Sequence, residues 1–372
     1  MRIWAENIKR SNYYRYAVPF VKFVLMCYGS WAYCHLFCFV ELRDHLHHNA
    51  VAVFLTCMNI FLTLILWYIW IQIVVIGPGK QPTVLPFRII PDAPCDEGTA
   101  SKDETVVVSV IPPDIYQCDP QGYPMWCSTC QSLKIERSHH SELLKYCVPR
   151  FDHYCVWLGT VIGRKNYKLF MQYVMYFTIY LVTASLTIAL FMKRIVDYNK
   201  EHDLTLNLNI IVLFILVLAF AFFVTPLFAV FSFYMSCNRT SLDIIQKKAI
   251  KRHRKAYFCV YNPEDRYRYV VDCLPAEQYN IWNKRNAWLN IKEFIGSNIW
   301  LWFIPIGTNI SDFQVSRNEE YYNAIVGPYR EDLSDNYKSI LLNRINQGDY
   351  VTRLRVYGDE VKERCDSLHG EV

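Results

Sequence analysis

LNIIVLFILVLAFAFFVTPLFAVFSFYMSC, residues Leu208–Cys237, is a thirty-residue run without a charged side chain. A helix needs about 20 apolar residues to cross the hydrocarbon core of a membrane, and this run is longer. Three more long apolar runs precede it in the chain: Ala17–Val40, Ala50–Ile76 and Leu169–Met192. Buried helices of soluble proteins rarely stay apolar over such lengths. The sequence therefore predicts an α-helical polytopic membrane protein with four transmembrane helices.

The composition of the 372-residue chain excludes two other classes of protein. Hydrophobic residues make up 53% and aromatic residues 16%, which excludes a disordered chain. Lys22 and His35 interrupt the first apolar run, but the other three runs contain no Lys, Arg, His, Asp or Glu. Ionisable residues within spans usually mark a transport path, so a transporter or channel is disfavoured.

The positive charges predict how the spans are oriented. Residues 1–16, 77–167 and 238–372 together carry 33 lysines and arginines, whereas the short loops 41–49 and 193–207 carry four. Positively charged flanks stay in the cytosol, so both termini and the 77–167 loop are predicted there. The net charge of +5 suits contact with anionic membrane lipids and does not indicate nucleic acid. The organelle, whether endoplasmic reticulum, Golgi, vacuole or plasma membrane, is left open.

Changes in composition divide the chain into seven segments. They are a cytosolic N-terminus (1–16), spans one and two (17–76), a cytosolic connector (77–124), a cysteine-rich segment (125–168), spans three and four (169–237), a cytosolic C-terminal region (238–310) and a polar tail (311–372). Within the C-terminal region, Ile299–Ile306 is apolar but too short to span. It is interpreted as an interfacial or re-entrant segment, with a soluble core strand as the alternative.

A cluster of cysteine and histidine in the cysteine-rich segment predicts a metal site. Cys127 and Cys130 have the C-x-x-C spacing of a zinc knuckle, and His140 and Cys147 follow within reach. Four such ligands form a closed tetrahedral site, which is structural rather than catalytic. The alternative is that His140 is a surface residue and the thiols are free. In the reducing cytosol, cysteine spacing indicates metal binding or catalysis more often than disulfides.

The tetrapeptide Asp152-His153-Tyr154-Cys155 has the composition of a nucleophilic site. In an extended chain, residues i and i+2 point the same way, so His153 and Cys155 can meet. A free thiol has a pKa of about 8.5 and needs a base at neutral pH. An imidazole can accept its proton, and a carboxylate can hold that imidazole in the required tautomer.

These motifs together resemble the DHHC-type protein S-acyltransferases, also called palmitoyltransferases. The resemblance is continuous over Cys127–Phe170, and the DHYC form is similar to that of fungal protein fatty acyltransferases. Gly77–Gly79 resembles the family's Asp-Pro-Gly motif, Thr240–Asp243 its Thr-Thr-x-Glu motif and Asn290 its C-terminal asparagine motif. The resemblance implies four spans with a cytosolic, zinc-binding catalytic domain between spans two and three.

The resemblance also implies a departure in metal content. The family usually holds two zinc ions, and the first set of ligands falls on Cys127, Cys130, His140 and Cys147. The second set falls on four positions that hold no cysteine or histidine here: Ser141, Leu144, Tyr154 and Val161. One structural zinc ion is therefore expected, with Cys95, Cys118 or His139 as alternative ligands for a second. The family's base corresponds to His153, which is retained.

The family activity implies a role for several further residues. Cys155 would take a long-chain acyl group from palmitoyl-CoA, with His153 as base and Asp152 as its partner, and pass it to cytosolic cysteines of membrane-associated proteins. Thr240 and Ser241 would hydrogen-bond Asp152, or instead cap the helix that follows them.

Aromatic residues of the third span are candidates for an acyl cavity. Tyr176 and Tyr180 would line it, and Tyr180 would limit the chain length, unless these rings only pack against other spans or lipid. Arg137 would contact phosphates of CoA, or instead lie at a solvated surface or contact lipid headgroups. A non-catalytic, zinc-bearing membrane scaffold is the alternative function.

Overall fold

The computed structural model describes residues 12–84, 113–250, 256–307, 329 and 331–355. Within this part of the chain, four helices are long and apolar enough to cross a membrane: Arg15–His45, Asn49–Ile76, Tyr167–Glu201 and Leu208–Ser236. They coincide with the four predicted apolar runs, which confirms the predicted spans. The cysteine-rich segment lies between the second and third of them, as predicted.

The elements are numbered here in chain order. The helices are α1 (Asn12–Trp31), which continues as a π-helix over Ala32–His45, α2 (Asn49–Ile76), α3 (Tyr167–Glu201), α4 (Leu208–Ser236), α5 (Ser241–Ile250), α6 (Ala287–Ile295) and α7 (Asp335–Asn346). The strands are β1 (Ile115–Cys118), β2 (Trp126–Cys127), β3 (Ser132–Leu133), β4 (His139–Ser141), β5 (Tyr146–Val148), β6 (His153–Cys155), β7 (Thr160–Ile162), β8 (Tyr257–Asn262), β9 (Tyr267–Asp272) and β10 (Thr352–Arg355).

The chain forms two compact units, and the first contains all four spans. It consists of Met1–Gly79, Asp152–Ser236 and Phe294–Asn309. Only 17% of the most apolar stretch of α4 is buried in protein, so most of its side chains are available to lipid.

Polar side chains join the helices of the first unit to one another. The Ser30 hydroxyl donates to Asn59 Oδ1 at 2.7 Å, which ties α1 to α2. The hydroxyls of Tyr33 and Thr187 are 2.8 Å apart and link the π-helix to α3. A polar group in hydrocarbon is costly without a partner, so such pairs specify which helix faces meet.

The second unit is built around an antiparallel sheet with the strand order β1-β8-β9-β10. It consists of Lys80–Phe151, Cys237–Glu293 and Ile310–Val372. Cys259 and Val270 are buried on one face, whereas Phe258 and Val271 are buried on the other. Burial on both faces explains the apolar runs in β8 and β9. This sheet was not predicted from the sequence.

Part of the predicted polar tail belongs to this sheet. Strand β10 pairs with β9, and α7 buries Tyr337, Leu341 and Ile345 against the face that contains Phe258. These three residues are spaced four apart, so they lie along one face of the helix. Ser334 caps α7 by accepting from the Tyr337 amide at 3.2 Å. The sheet thus joins the connector, the C-terminal region and the tail, which the composition separates.

The short apolar segment Ile299–Ile306 belongs to the first unit. It begins as a 3₁₀ helix at Ile299–Trp302, so the alternative of a core strand is wrong. Gln172 of α3 donates to the carbonyls of Trp302 and Ile304, both at 2.8 Å, which fixes the segment against the third span. The side chain of Trp300 is 82% exposed, in keeping with an interfacial segment.

Candidate active site and metal centre

The tetrapeptide Asp152–Cys155 contains β6, the first strand of a hairpin with β7 in the first unit. Cys155 pairs with Thr160, and the chain turns between them. The turn uses Gly159 at φ +71°, where a Cβ atom would lie 2.9 Å from the Arg15 carbonyl oxygen of α1. Glycine is required here for both conformation and space, so the hairpin tip can approach the first span closely.

Asp152 and His153 form the predicted carboxylate–imidazole pair. The side chain of Asp152 is fully buried, and its Oδ2 lies 2.5 Å from His153 Nδ1. Burial lowers the pKa of His153, but hydrogen bonds to Asp152 and Cys155 and attraction to both raise it more, to about 9. Because Asp152 holds Nδ1, Nε2 is left to face the thiol. This arrangement favours transfer of the Cys155 proton to His153.

Two further side chains of the first unit hold the hairpin in place. Trp70 of α2 donates from its indole to the Leu158 carbonyl at 3.2 Å. Asn166, which is fully buried, accepts from the Gly163 amide and donates to the Val161 carbonyl, both at 2.9 Å. These bonds fix the position of Cys155 relative to the spans, as a reactive thiol requires.

Cys155 opens into an apolar cavity among the helices of the first unit. The cavity has a volume of about 540 Å³. Its lining on α3 and α4 is aromatic or aliphatic throughout and comprises Phe170, Tyr173, Val174, Phe177, Ala219, Phe220, Phe223, Val224 and Leu227. An apolar cavity beside a nucleophile suits a substrate with a reactive head and a long hydrocarbon chain.

A second apolar cavity lies in the same unit and shares Lys22, Phe177 and Phe220 with the first. Tyr180 lines this second cavity and not the one that contains Cys155. Tyr176 lines neither, and its hydroxyl donates to the Phe303 carbonyl at 2.7 Å. The structure thus separates the two predicted cavity tyrosines, since Tyr180 lines one of these two cavities and Tyr176 lines neither.

The four predicted metal ligands come together in the second unit. The ligand atoms of Cys127, Cys130, His140 and Cys147 all lie within 4.8 Å of one another. His140 Nδ1 is 3.6 Å from Cys127 Sγ and 3.3 Å from Cys130 Sγ. Zinc–sulfur bonds of about 2.3 Å and zinc–nitrogen bonds of about 2.0 Å place tetrahedral ligands at about such separations. The residues therefore fit a zinc ion bound through Nδ1.

The ligands lie on two adjoining hairpins. Cys127 is on β2, while His140 of β4 and Cys147 of β5 face each other as a strand pair. Gln81 supports the hairpin pair by donating from its backbone N–H to the Cys147 carbonyl at 2.9 Å. A metal here would join hairpins of two or three residues that are too short to be stable alone.

No second metal cluster occurs among the residues that the structure describes. Tyr154 and Val161 face each other across β6 and β7, where they make an ordinary strand pair. Ser141 accepts from the Leu144 amide at 3.3 Å and shapes the β4–β5 turn. Of the alternative ligands, Cys118 is buried in the sheet, and Cys95 lies outside the described residues.

The predicted supporting residues lie in the second unit, where they shape the backbone. Thr240 caps α5: its hydroxyl accepts from the Asp243 amide at 3.2 Å, and Asp243 accepts from the Thr240 amide at 2.8 Å. This is a capping box, the alternative considered for this site. Ser241 is the first residue of α5. Asn290 is buried and bridges the Lys284 amide at 2.9 Å and Asn283 Oδ1 at 2.8 Å.

Arg137 lies in a buried ionic network and not at a solvated surface. It donates to Asp243 at 2.6 Å, to Asn238 at 3.0 Å and to Glu331 at 3.4 Å. Arg150 also binds Glu331, through Nε at 2.6 Å. A buried guanidinium needs such partners to offset desolvation, so these contacts explain Arg137 without a CoA phosphate.

Sequence reasoning gave no role to Lys22, Trp70 or Asn166, which surround the hairpin and its cavity. Only Lys22 carried a signal, as the cation inside the first apolar run. The roles of Trp70 and Asn166 depend on carbonyl groups that become their partners only after folding.

Comparison with known proteins matches residues 121–248 to the DHHC palmitoyltransferase family. Palmitoyltransferase PFA5 of Eremothecium gossypii is 48% identical over 354 residues, which are 95% of this chain and 98% of that protein. Palmitoyltransferase PFA5 of Saccharomyces cerevisiae is 40% identical over 366 residues, 96% of this chain and 98% of that protein. Palmitoyltransferase ZDHHC15 of Xenopus laevis is 24% identical over 295 residues, 78% of each chain.

The two fungal similarities extend over both units, and the family match contains the metal cluster and the Asp152–Cys155 hairpin. The resemblance inferred from the cysteine-rich segment is therefore confirmed over nearly the whole chain. The chain belongs to the DHHC palmitoyltransferase family.

Proposed function

We propose that this protein is a protein S-palmitoyltransferase that moves a long-chain acyl group from acyl-CoA to protein cysteines through a thioester on Cys155. The observation that carries this proposal is the hairpin that joins the buried Asp152–His153 pair to Cys155 at an apolar cavity between the spans. A nucleophile, its base and a site for hydrocarbon thus meet in one unit.

In the first step, His153 accepts the proton of Cys155 and the sulfur attacks the thioester carbonyl carbon of acyl-CoA. The bond to the CoA sulfur breaks, and the CoA thiolate takes the proton from His153. Asp152 keeps the imidazole oriented and stabilises its protonated form. The product is acyl-Cys155 and free CoA.

In the second step, His153 accepts a proton from the cysteine of a substrate protein. That sulfur attacks the acyl carbon, and Cys155 leaves and regains the proton. One thioester replaces another in both steps, so little free energy separates them. The enzyme mainly supplies positioning and an activated thiol.

The cavity explains why the site belongs in a membrane protein. Each methylene moved out of water contributes about 0.8 kcal/mol. An acyl chain that lies between α3 and α4 stays out of water while its thioester meets Cys155.

For the metal centre, we propose one structural zinc ion bound by Cys127, Cys130, His140 and Cys147. Zinc supplies cross-linking here and no chemistry, because all four ligand positions are filled by protein. The donor set of three thiols and one imidazole supports zinc over calcium or magnesium, which prefer oxygen.

For orientation, we propose that both termini and the segment that bears Cys155 lie on the cytosolic side. The excess of lysine and arginine outside the short loops 41–49 and 193–207 supports this orientation. Substrate proteins would then present cytosolic cysteines close to the membrane.

Labelling with a clickable palmitate analogue tests the proposed function. We expect wild-type protein to acquire a label that hydroxylamine removes, because hydroxylamine cleaves thioesters. We expect Cys155→Ser to acquire none, since the attacking sulfur is lost. The metal content of the variant is compared with that of wild type, because a folded variant should keep its metal. This separates loss of chemistry from loss of structure. No label on the wild type would instead support the non-catalytic scaffold.

Acyl-chain selection is expected to change in Tyr180→Ala. Removal of the ring enlarges the second cavity, so the preference for acyl chains two carbons longer than palmitate should increase. If both added methylenes are buried, the preference shifts by about 1.6 kcal/mol, or about 15-fold. Competition between acyl-CoAs of different length measures the shift. Tyr176→Ala is the matched control, because Tyr176 lines neither cavity. An unchanged profile in Tyr180→Ala would contradict this role.

A further inference from the structure

Lys22 is a buried cation at the catalytic cavity. It belongs to the first span, is 4% exposed and lines the cavity that contains Cys155. Its Nζ has no hydrogen-bond partner among the described residues. Most buried polar groups have partners, and an ammonium has three protons to donate, so this one requires an explanation.

Two aromatic faces hold the ammonium in place. Nζ lies 4.2 Å from the ring centre of Trp70 and 5.0 Å from that of Tyr173. At 1.5 Å per residue, Lys22 lies about 10 Å from the start of the first span at Arg15, and Trp70 and Tyr173 lie about 9 Å from the end of α2 and the start of α3. Cation–π contacts stabilise the charge there but leave the N–H groups unused. The site is thus prepared for an acceptor that the described residues do not supply.

The contents of the cavity restrict what that acceptor can be. Lys22 is the only cation among the lining residues, and the Tyr173 hydroxyl is directed to Met26 Sδ at 3.9 Å. A saturated acyl chain has no hydrogen-bond acceptor except the carbonyl oxygen at its reactive end. Lys22 and Cys155 line the same cavity, and that carbonyl becomes bonded to the Cys155 sulfur.

We propose that Lys22 is a catalytic residue whose ammonium donates to the acyl carbonyl oxygen and stabilises the negative charge formed there in both transfer steps. This inference rests on the proposed function. When the Cys155 sulfur attacks, the carbonyl π electrons move to oxygen and a tetrahedral intermediate forms. The electrons return as the CoA sulfur leaves. Lys22 keeps all of its protons, and the transferred proton passes only through His153.

The charge on this oxygen is larger in the transition state than in bound acyl-CoA. The ammonium is already desolvated and fixed by Trp70 and Tyr173, so little reorganisation is needed when the charge forms. Lys22 should therefore affect the rate of acyl loading far more than the binding of acyl-CoA.

The test is acyl loading of the full-length protein in detergent at a series of palmitoyl-CoA concentrations. We expect Lys22→Met, which keeps most of the side-chain volume without the charge, to lower the loading rate at saturation by about 100-fold. The half-saturating concentration should stay close to that of wild type. Lys22→Arg, which retains a charged donor, should restore part of the rate. Lys193→Met is the matched control, because Lys193 belongs to the same unit but lies near the end of α3 that is far from Tyr173.

Three results would overturn the inference. They are a wild-type loading rate in Lys22→Met, a loss that appears only as a raised half-saturating concentration, or an equal loss in Lys22→Arg and Lys22→Met. If Lys22→Met does not fold, as judged by metal content and gel filtration, Lys22→Gln provides the same comparison. Failure of the wild type to load at all would overturn the proposed function instead, so the two outcomes are distinguishable.

Discussion

Replacing His153 by Ala is expected to slow acyl loading of Cys155 by about 10²–10⁴-fold. The imidazole is the proposed proton acceptor for the thiol, and its Nδ1 is held 2.5 Å from the buried Asp152 carboxylate. Without it, loading depends on the small fraction of thiol that ionises without help. Single-turnover loading with palmitoyl-CoA measures the effect. A loading rate in His153→Ala equal to that of wild type would mean that another group serves as the base.

The dependence on pH provides a separate check on the pair. The pKa of His153 is about 9, so the imidazolium that forms when His153 accepts the Cys155 proton persists up to about pH 9 and is lost above it. Loading should therefore decline as the pH rises through about 9, because no proton remains for the departing CoA thiolate. Asp152→Asn removes a carboxylate that raises the pKa of His153, so this decline should begin at lower pH. If the decline began at the same pH in both proteins, the Asp152–His153 pair would not be the group that controls the pH dependence of loading.

Loss of the zinc site is expected to unfold the second unit. Structural zinc contributes about 10–16 kcal/mol in small zinc-bound peptides, which exceeds or equals the stability of a typical domain. Cys130→Ser leaves three ligands and should lose the metal. Without the metal the unit should unfold, because the hairpins that carry the ligands have strands of only two or three residues. Metal analysis of the purified protein and limited proteolysis would record the change.

Cys57→Ser is the control for the zinc experiment, because Cys57 is exposed in the second span and remote in sequence from the ligands. It should keep the metal and the proteolytic pattern of wild type. Wild-type protein should contain one zinc ion per chain. Two ions would show that the family's second site survives with other ligands. A wild-type protein without zinc would contradict the proposed metal centre.

The buried ionic network gives the second unit a further dependence on long-range contacts. Glu331 binds both Arg137 and Arg150, and the latter is 181 residues away in sequence. Removing one partner of a buried ion pair leaves an uncompensated charge, which is why such pairs tolerate substitution poorly. Thr240 and Asp243 belong to the same region, where Asp243 both completes the cap of α5 and binds Arg137. The motif after the fourth span thus has a structural explanation within this unit.

The metal ligands and the reactive tetrapeptide could be predicted because each is local in sequence. The C-x-x-C spacing brings Cys127 and Cys130 together in any tight turn, and alternation along a strand puts His153 and Cys155 on one side. The two tyrosines were harder to place. Tyr176 and Tyr180 are one helical turn apart, but Tyr176 donates to the Phe303 carbonyl, whereas Tyr180 lines the second cavity.

The sequence by itself determined that this protein has four helices able to span a membrane and one complete set of Cys and His metal ligands, and it predicted a cysteine beside a histidine base. Apolar length and short-range spacing suffice for these features, because the bilayer and the metal impose them on any fold. Only the tertiary structure decided that Lys22 meets Trp70 and Tyr173 at the cavity of Cys155, and that β1, β8, β9 and β10 share one sheet. These arrangements join residues far apart in the chain, and no local pattern of polarity specifies which distant groups will pack together.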